Sequence, residues 1–312
     1  MTATVHTIDL RYLDLEGAAA AFLVVPDRDA PFLFECGPMA CIEALEEGIR
    51  AIGVRPEEVE HLFVTRVHLD HAGAAGAFAA RGTTVHVHPR GARHLVDPER
   101  LVASSRRVHG AAFDRHYGAP MPCAEERVAA VEDGAVVAAG GIGVKAVETP
   151  GHARHHHAWL VEIDGRRTIF AGDVAAMRVP GSDFVSIPMP PPEFEFDPWR
   201  RSIERLRSER PDTIVLTHFG AVDDPLRHLE AVESRLGCEC RFVSNVLESG
   251  VDEDAALDAY RAWLHPQARA GRVDEERLAS FLGPPIMRMN LAGVRRWRDS
   301  VGPSDGSIPH QS

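Results

Sequence analysis

The chain has 312 residues, 45% of them hydrophobic, which is enough for one large domain or two small ones with a packed core. Its net charge is −12, from 46 acidic and 34 basic residues, and this balance argues against a nucleic-acid partner, because such binding depends on phosphate neutralisation by Lys and Arg. Five scattered cysteines with no Cys-x-x-Cys pair indicate no disulfide framework and suit a reducing compartment.

The first residues, "MTATVHTIDLRYLDLEG", are polar and lack a basic segment ahead of an apolar one, so no signal peptide is predicted. The apolar run "AAAAFLVV" (Ala18–Val25) is too short to span a bilayer and is typical of a buried strand. We therefore expect a cytoplasmic protein that does not enter a membrane.

The first third of the chain alternates strand and helix patterns. Short apolar runs in "VHTIDLRYL", "AAFLVV" and "PFLFECG" predict three strands separated by turn-forming residues. The stretch "MACIEALEEGIRAIG" has apolar residues at helical spacing, namely Ile42, Leu45, Ile49 and Ile52. We then expect a strand in "EHLFVTRV", a helix in "AGAAGAFAARG" and a strand in "TTVHVHP".

Strand patterns return after a helical or irregular stretch between residues 91 and 126. They occur in "AVVAAGGIGVKAVETPG", "AWLVEIDG" and "RRTIFAGD", and the Asp164-Gly165 pair predicts a hairpin between the last two. A proline-rich loop, "IPMPPPEFEFDP", precedes the helix "WRRSIERLRSER" and the strand "DTIVLTH". We predict a core at 1–220, a helical segment at 221–300 packed on that core, and a flexible tail at 301–312.

Four apolar strand patterns run directly into a histidine or an aspartate. They are "LFVTRVHLDH", "VKAVETPGH", "RTIFAGD" and "TIVLTH", which end in or contain His68, Asp70, His71, His152, Asp173 and His218. Imidazole and carboxylate are the ligands that zinc and similar divalent ions prefer, and strand ends hold side chains rigidly. The pattern predicts a layered α/β domain with a metal site at one sheet edge.

The ordered set "HLDHAG", "TPGH", "FAGD" and "LTH" resembles the metallo-β-lactamase fold superfamily, and in particular its glyoxalase II-like hydrolases, over roughly Val5 to Gly220. This resemblance implies an α/β (α+β layered) fold: an αββα metallo-β-lactamase-type sandwich, here with a C-terminal helical extension. It also implies a metal site along one edge of the two sheets.

The resemblance implies two metal positions. By position, the first would use Arg66, His68 and His152, and the second would use Asp70, His71 and His218, with Asp173 as the bridging carboxylate. The family's first motif is His-x-His-x-Asp-His, so this chain departs from it at Arg66.

Arg66 weakens the first metal position. A guanidinium has no free lone pair and stays protonated, so it does not replace an imidazole. A unit charge about 5 Å from a dication costs roughly 7 kcal/mol at an effective dielectric constant of about 20. We therefore predict one firmly bound ion, with zinc favoured over iron or manganese, and a second ion that is weakly bound or absent.

Two interpretations of Arg66 stay open. Its charge either replaces the first metal and holds a substrate oxygen, or it swings away, or pairs with an acid such as Asp173, and records decay of the site. The candidate catalytic residues are Asp70, which would orient the attacking water, and, in the first case, Arg66.

The implied activity is hydrolysis of a thioester, ester or lactone by metal-bound hydroxide. We expect a small-molecule substrate, no nucleic acid and no membrane as partners, and leave a homodimer open. One alternative is a metal-poor pseudoenzyme or binding protein of the same fold. Another is a mononuclear iron oxidoreductase, which the loss of the first site at Arg66 disfavours.

Overall fold

The computed structural model describes residues 2–305, which form two compact units. The first unit comprises residues 2–148, 155–172 and 210–223, and the second comprises 149–154, 173–209 and 224–305. The predicted division near residue 220 stays a prediction. Of the predicted flexible tail, 301–305 continue a helix and 306–312 lie outside the described residues.

Within residues 2–305, the first unit contains two sheets of six strands each. The first sheet has the spatial order β1 (Ala3–Asp9), β2 (Ala20–Pro26), β3 (Phe32–Phe34), β4 (His61–Phe63), β5 (Thr84–Val87) and β6 (Val128–Ala130). The pairs from β1 to β3 are antiparallel and those from β3 to β6 are parallel.

The second sheet has the order β14 (Gly220–Val222), β13 (Thr213–Leu216), β10 (Arg166–Phe170), β9 (His157–Ile163), β8 (Ile142–Glu148) and β7 (Val136–Ala139). Its pairs are antiparallel except β10 with β13. The Asp164-Gly165 hairpin is confirmed: Ile163 pairs with Arg166, and both turn residues have positive φ, +53° and +75°.

The two sheets pack face to face through aromatic side chains. Because side chains alternate along a strand, β2 sends Phe22 to this interface while Leu23 points to the opposite face. Phe34 of the first sheet stacks on Phe170 of the second, with ring centroids 3.7 Å apart. This apolar layer fixes the sheets against each other and leaves the strand ends to carry polar residues.

The first unit contains six α-helices within the described residues, and the first four of them contribute buried residues to the other face of the first sheet. The six helices are α1 (Ile42–Ala51), α2 (Leu69–Ala72), α3 (Ala75–Ala79), α4 (Pro89–Val96), α5 (Glu99–His109) and α6 (Phe113–Tyr117). The helix predicted from apolar spacing is α1, whose Leu45 and Ile49 are fully buried in one cluster with Leu33 and Leu62.

The second unit is mainly helical. It contains the short strands β11 (Met177–Arg178) and β12 (Val185–Ser186) and the helices α7 (Phe196–Ser208), α8 (Pro225–Glu248), α9 (Glu253–Ala270), α10 (Glu275–Phe281) and α11 (Pro284–Asp305). Asp224, Asp252 and Asp274 cap the first turns of α8, α9 and α10 by accepting backbone N–H bonds. Among the residues the structure describes, no helix is both long and apolar enough to cross a bilayer.

Candidate metal centre

Two strand ends of the first unit carry the predicted ligands. After β4 the chain passes through Thr65 and Arg66 to His68, whose carbonyl accepts the backbone N–H of His71 at 3.0 Å. This turn begins α2 and places Asp70 and His71 on it. After β13 the chain reaches His218 through Thr217, so His218 follows a strand end closely, whereas Asp70 and His71 lie on the short helix α2.

Three of the predicted ligands converge within the first unit. The Nε2 atoms of His71 and His218 lie 3.2 Å apart, and Asp70 Oδ2 lies 3.7 Å from the first and 3.6 Å from the second. A tetrahedral ion with bonds of about 2.0–2.1 Å separates its ligands by about 3.3 Å. The three donor atoms therefore have the spacing of a metal site.

Both imidazoles are oriented through their other nitrogen atom. His71 Nδ1 lies 3.2 Å from Glu35 Oε1, and His218 Nδ1 lies 2.5 Å from the Ala18 carbonyl oxygen. With the Nδ1 protons donated to these acceptors, the two Nε2 lone pairs face each other. A cation between them removes their repulsion, so this donor set fits a divalent ion.

The Asp70 carboxylate is kept ionised by its neighbours. Burial raises its pKa, but the imidazoles of His71 and His218 and the Arg66 guanidinium together hold the pKa of Asp70 well below its ordinary value. An ionised carboxylate is the form that ligates a metal.

The hub of this arrangement is Glu35, which the sequence analysis missed. Glu35 is 1% exposed and accepts hydrogen bonds from Thr65 Oγ1 at 2.5 Å and Thr217 Oγ1 at 3.4 Å. These two threonines directly precede Arg66 and His218 in the chain. An acidic residue inside the apolar run "PFLFECG", and the repeated Thr before a site residue, are the signals that could have indicated this network.

Arg66 lies inside the cluster. Its side chain is 1% exposed, and its Nε donates to His68 Nδ1 at 2.8 Å. Its Nη1 lies 3.2 Å from His71 Nδ1 and its Nη2 lies 3.8 Å from Asp70 Oδ2. The guanidinium is thus among the predicted ligands and is not turned towards solvent.

The bond from Arg66 decides which nitrogen of His68 carries a proton. A guanidinium only donates, so His68 Nδ1 accepts, and the proton of the neutral ring lies on Nε2. Burial and then Arg66 lower the pKa of His68 well below its ordinary value, which keeps the ring neutral. In this arrangement neither nitrogen of His68 offers a lone pair to a metal.

His152 and Asp173 belong to the second unit, where they lie together. His152 Nε2 is 3.6 Å from Asp173 Oδ2, a spacing that also suits two ligands of one ion. His152 Nδ1 lies 3.0 Å from the Pro188 carbonyl oxygen, and the ring meets Trp199 edge-on with centroids 5.6 Å apart. That His152 is a ligand and Asp173 a bridging carboxylate stay predictions.

Two tyrosines and a histidine of the first unit are further residues that the sequence analysis did not single out. The rings of Tyr12 and Tyr117 lie 6.3 Å apart, and Tyr117 Oη lies 3.2 Å from His109 Nε2. Burial and the Asp70 carboxylate raise the pKa of Tyr117, and burial, Tyr117 and Asp70 raise that of Tyr12. Both phenols are therefore neutral hydrogen-bond donors within the electrostatic range of Asp70.

Residues 15–218, more than half of the chain, match the family described as the Metallo-beta-lactamase superfamily. The chain belongs to the metallo-β-lactamase superfamily. A metallo-β-lactamase fold-containing protein, ST1585 of Sulfurisphaera tokodaii, is 25% identical over 185 residues, covering 57% of this chain and 68% of that protein. A hydroxyacylglutathione hydrolase of Fuscovulum blasticum is 29% identical over 212 residues, covering 65% and 70%.

Solved structures of this superfamily share the fold. The crystal structure of ST1585 from Sulfolobus tokodaii has a TM-score of 0.66 and 19% sequence identity over 95% of this chain and 99% of that one. The predicted family and the predicted αββα fold class are thus confirmed. The superfamily consists mostly of metal-dependent hydrolases, which supports a hydrolase activity in general.

Proposed function

We propose that this metallo-β-lactamase-fold protein is a metal-dependent hydrolase of small thioesters, esters or lactones, with zinc as its metal. The observation that carries the proposal is the donor set of Asp70, His71 and His218, whose atoms lie 3.2–3.7 Å apart with both imidazoles oriented for ligation. These three residues would hold the firmly bound ion.

A divalent ion held there would supply Lewis-acid chemistry, acidifying water and polarising a carbonyl. Asp70 stays ionised and can accept a hydrogen bond from the attacking water through its second oxygen. Arg66 keeps a fixed positive charge 3.8 Å from that carboxylate. In the proposed reaction its guanidinium binds the carbonyl oxygen of the substrate as negative charge develops there.

Arg66 also weakens the first metal position, and its contact with His68 supports this. It offers no lone pair, and its bond to His68 Nδ1 leaves the proton on His68 Nε2. At the second metal position, Arg66 Nη1 lies as close to His71 Nδ1 as Glu35 Oε1 does, at 3.2 Å. If Arg66 donates there, the His71 proton moves to Nε2, so Arg66 competes with Glu35 for the tautomer that binds metal.

The substrate class rests on the relative named hydroxyacylglutathione hydrolase, which is 29% identical. We propose that the substrate resembles that of glyoxalase II-like enzymes in the type of bond that is hydrolysed.

The five cysteines all lie within the described residues as free thiols, and four of them are buried. Because free thiols suit a reducing compartment, we propose a cytoplasmic location.

Elemental analysis of the purified protein beside an Arg66→His variant tests the proposal. We expect about one zinc ion per chain in the natural protein, rising towards two in the variant, because an imidazole restores a ligand and releases His68. Hydrolysis of a generic thioester should fall in Arg66→His, because the proposed reaction loses the guanidinium that binds the carbonyl oxygen; a rise with the second ion would mean that Arg66 only blocks the site. Arg100→His, at an exposed arginine of α5, controls for adding a histidine elsewhere.

Equal metal content in the natural protein and in Arg66→His would contradict the assignment of Arg66 to the first metal position. A protein free of zinc, iron and manganese would favour the pseudoenzyme. A coloured protein that consumes oxygen with a thiol would favour the iron oxidoreductase.

A further inference from the structure

A buried polar cluster joins three helices of the second unit. Glu239 of α8, Tyr260 of α9 and Asn290 of α11 are each at most 2% exposed. The Tyr260 hydroxyl donates to Glu239 Oε1, and Asn290 Nδ2 lies 2.9 Å from the Tyr260 oxygen and 3.2 Å from Glu239 Oε1. These bonds fix the plane of the Asn290 amide.

The same amide holds the proline-rich loop on its other side. Asn290 Oδ1 accepts the backbone N–H of Met189 at 2.8 Å, and Asn290 Nδ2 donates to the Ile187 carbonyl at 2.8 Å. These two bonds flank Pro188. Rotating the amide by half a turn would set its NH₂ against an N–H and its oxygen against a carbonyl, so one orientation is selected.

The proline-rich loop has few backbone N–H groups that could donate hydrogen bonds. Of residues 188–192, "PMPPP", only Met189 has a backbone N–H, and Asn290 accepts it. The helix that carries Asn290 also approaches closely, because a Cβ at Gly293 would lie 1.9 Å from the Met189 carbonyl oxygen. Asn290 and Gly293 lie three residues apart, on one face of α11. That face therefore clamps the loop.

The clamped loop presents one carbonyl to a predicted metal ligand. The Pro188 carbonyl belongs to the same peptide group as the Met189 N–H that Asn290 binds, and His152 Nδ1 lies 3.0 Å from the Pro188 carbonyl oxygen. Because a carbonyl only accepts, this contact places the His152 proton on Nδ1 and leaves the lone pair on Nε2. Nε2 is the atom that faces Asp173.

We propose that Asn290 is a positioning residue for His152: through the loop 187–189 it holds the Pro188 carbonyl that sets the tautomer and orientation of the His152 imidazole. The proposal rests on the proposed function, in which His152 ligates the more weakly held ion. It gives the C-terminal helix α11 a role in orienting a predicted metal ligand of its own unit, which no ligand motif indicates.

The test compares Asn290→Asp with Tyr260→Phe. Asn290→Asp keeps the side-chain size and the acceptor for Met189, but replaces the donor to the Ile187 carbonyl by an oxygen. Tyr260→Phe breaks the same buried cluster and leaves both contacts of Asn290 with the loop in place, so it controls for disturbance of the cluster. Asn290→Ala removes both loop contacts and is the second variant if the first does not fold.

Two measurements report on His152. Long-range ¹H–¹⁵N spectra of the metal-free proteins, assigned with His152→Gln, give its tautomer; we expect the Nδ1–H form in the natural protein and in Tyr260→Phe, and a mixture in the Asn290 variants. Zinc titration of Arg66→His with and without each change should show about tenfold weaker binding of the second ion for Asn290→Asp and no change for Tyr260→Phe.

A folded Asn290 variant with the His152 spectrum of Tyr260→Phe would overturn the proposal. If the spectra differ as expected but neither the natural protein nor Arg66→His binds zinc, the positioning role stands and the proposed function fails. The two failures are thus distinguishable, because the tautomer is measured without metal.

Discussion

At the scale of single residues, the carboxylate of Glu35 organises the candidate metal centre without being one of its predicted ligands. It lies 3.2 Å from His71 Nδ1 and receives the hydroxyls of Thr65 and Thr217, each next to a site residue. A carboxylate behind a ligating imidazole fixes its tautomer and raises its basicity. Glu35 also opposes Arg66, whose Nη1 lies at the same distance from His71 Nδ1.

We predict that Glu35→Gln weakens zinc binding 10- to 100-fold, as is typical when such a carboxylate is lost. The variant keeps the volume of the side chain but removes the negative charge that favours His71 with its proton on Nδ1. The measurement is competition for zinc against a chelator, with Glu57→Gln, at an exposed glutamate, as the matched control. Unchanged affinity in Glu35→Gln would show that the Glu35 carboxylate does not support the metal site.

The ligand motifs could be predicted from sequence because strand ends place a few residues in a known order. The contacts of Arg66 could not, since a long side chain can turn to solvent or to several partners, and only the fold decides that it meets His68, His71 and Asp70. Glu35 could not be assigned either, because 30 residues separate it from Thr65 in the chain.

At the scale of elements, the apolar pattern predicts that a strand or helix exists better than it predicts where that element ends. The run "EHLFVTRV" suggested a long strand, but β4 ends at Phe63. Beyond it, the Val64 carbonyl accepts from Trp159 Nε1 at 3.1 Å and the Thr65 carbonyl accepts from His157 N at 2.7 Å. The two carbonyls there bond to residues of the second sheet, although the Val64 N–H still donates to the His86 carbonyl of the first sheet at 3.1 Å. These tertiary contacts cannot be read from the residues of the run.

A second example is the predicted helix "AGAAGAFAARG", which the structure breaks between α2 and α3. Ala74 N bonds to the Gly37 carbonyl at 3.0 Å, and a Cβ at Gly73 would lie 2.8 Å from Pro38 Cα. The break thus follows from a close approach of a distant segment. Periodicity within eleven residues carries no information about that segment.

The helices α8, α9 and α11 share a carboxyl group that costs stability at neutral pH. Burial raises the pKa of Glu239 to about 7, against the hydrogen bond from Tyr260, and among the described residues its Oε2 has no hydrogen-bond partner. The unfolded chain releases this proton near pH 4.5 whereas the folded chain keeps it to about pH 7. Stability therefore falls as pH rises through this window.

We predict that Glu239→Gln removes this loss. Relative to its own value at pH 4.5, the natural protein should lose on the order of 2–3 kcal/mol of unfolding free energy by pH 8 from this group, and the variant should not. Urea unfolding at both pH values measures the difference, and Glu230→Gln, at an exposed position of α8, is the control. Parallel pH profiles for Glu239→Gln and the natural protein would contradict a neutral Glu239.

At the scale of the whole molecule, buried histidines change stability with pH in the direction opposite to Glu239: they make the folded protein less stable as the pH falls. His86 stacks on Phe63 with ring centroids 4.5 Å apart, and its Nε2 lies 2.9 Å from His61 Nδ1. His157 Nε2 lies 2.9 Å from the Val131 carbonyl. Burial lowers the pKa of each ring to about 4, so both stay neutral in the folded protein where they are charged in the unfolded one.

The direction of this pH dependence follows from the number of protons that the folded and the unfolded chain each bind. Between pH 6.5 and about 4 the unfolded chain binds a proton at each of these rings and the folded chain does not, so the stability that they permit above pH 6.5 is lost as pH falls. Each ring contributes a slope of up to about 1.4 kcal/mol per pH unit.

We predict that His86→Phe, which keeps a ring stacked on Phe63 and removes its titration, flattens the dependence of unfolding free energy on pH by about one such slope. Urea unfolding of the chelator-treated protein at pH 7, 6 and 5 measures it without metal release, and His6→Phe, outside the cluster, is the control. A slope unchanged in His86→Phe would mean that His86 takes up its proton in the folded protein as easily as in the unfolded chain.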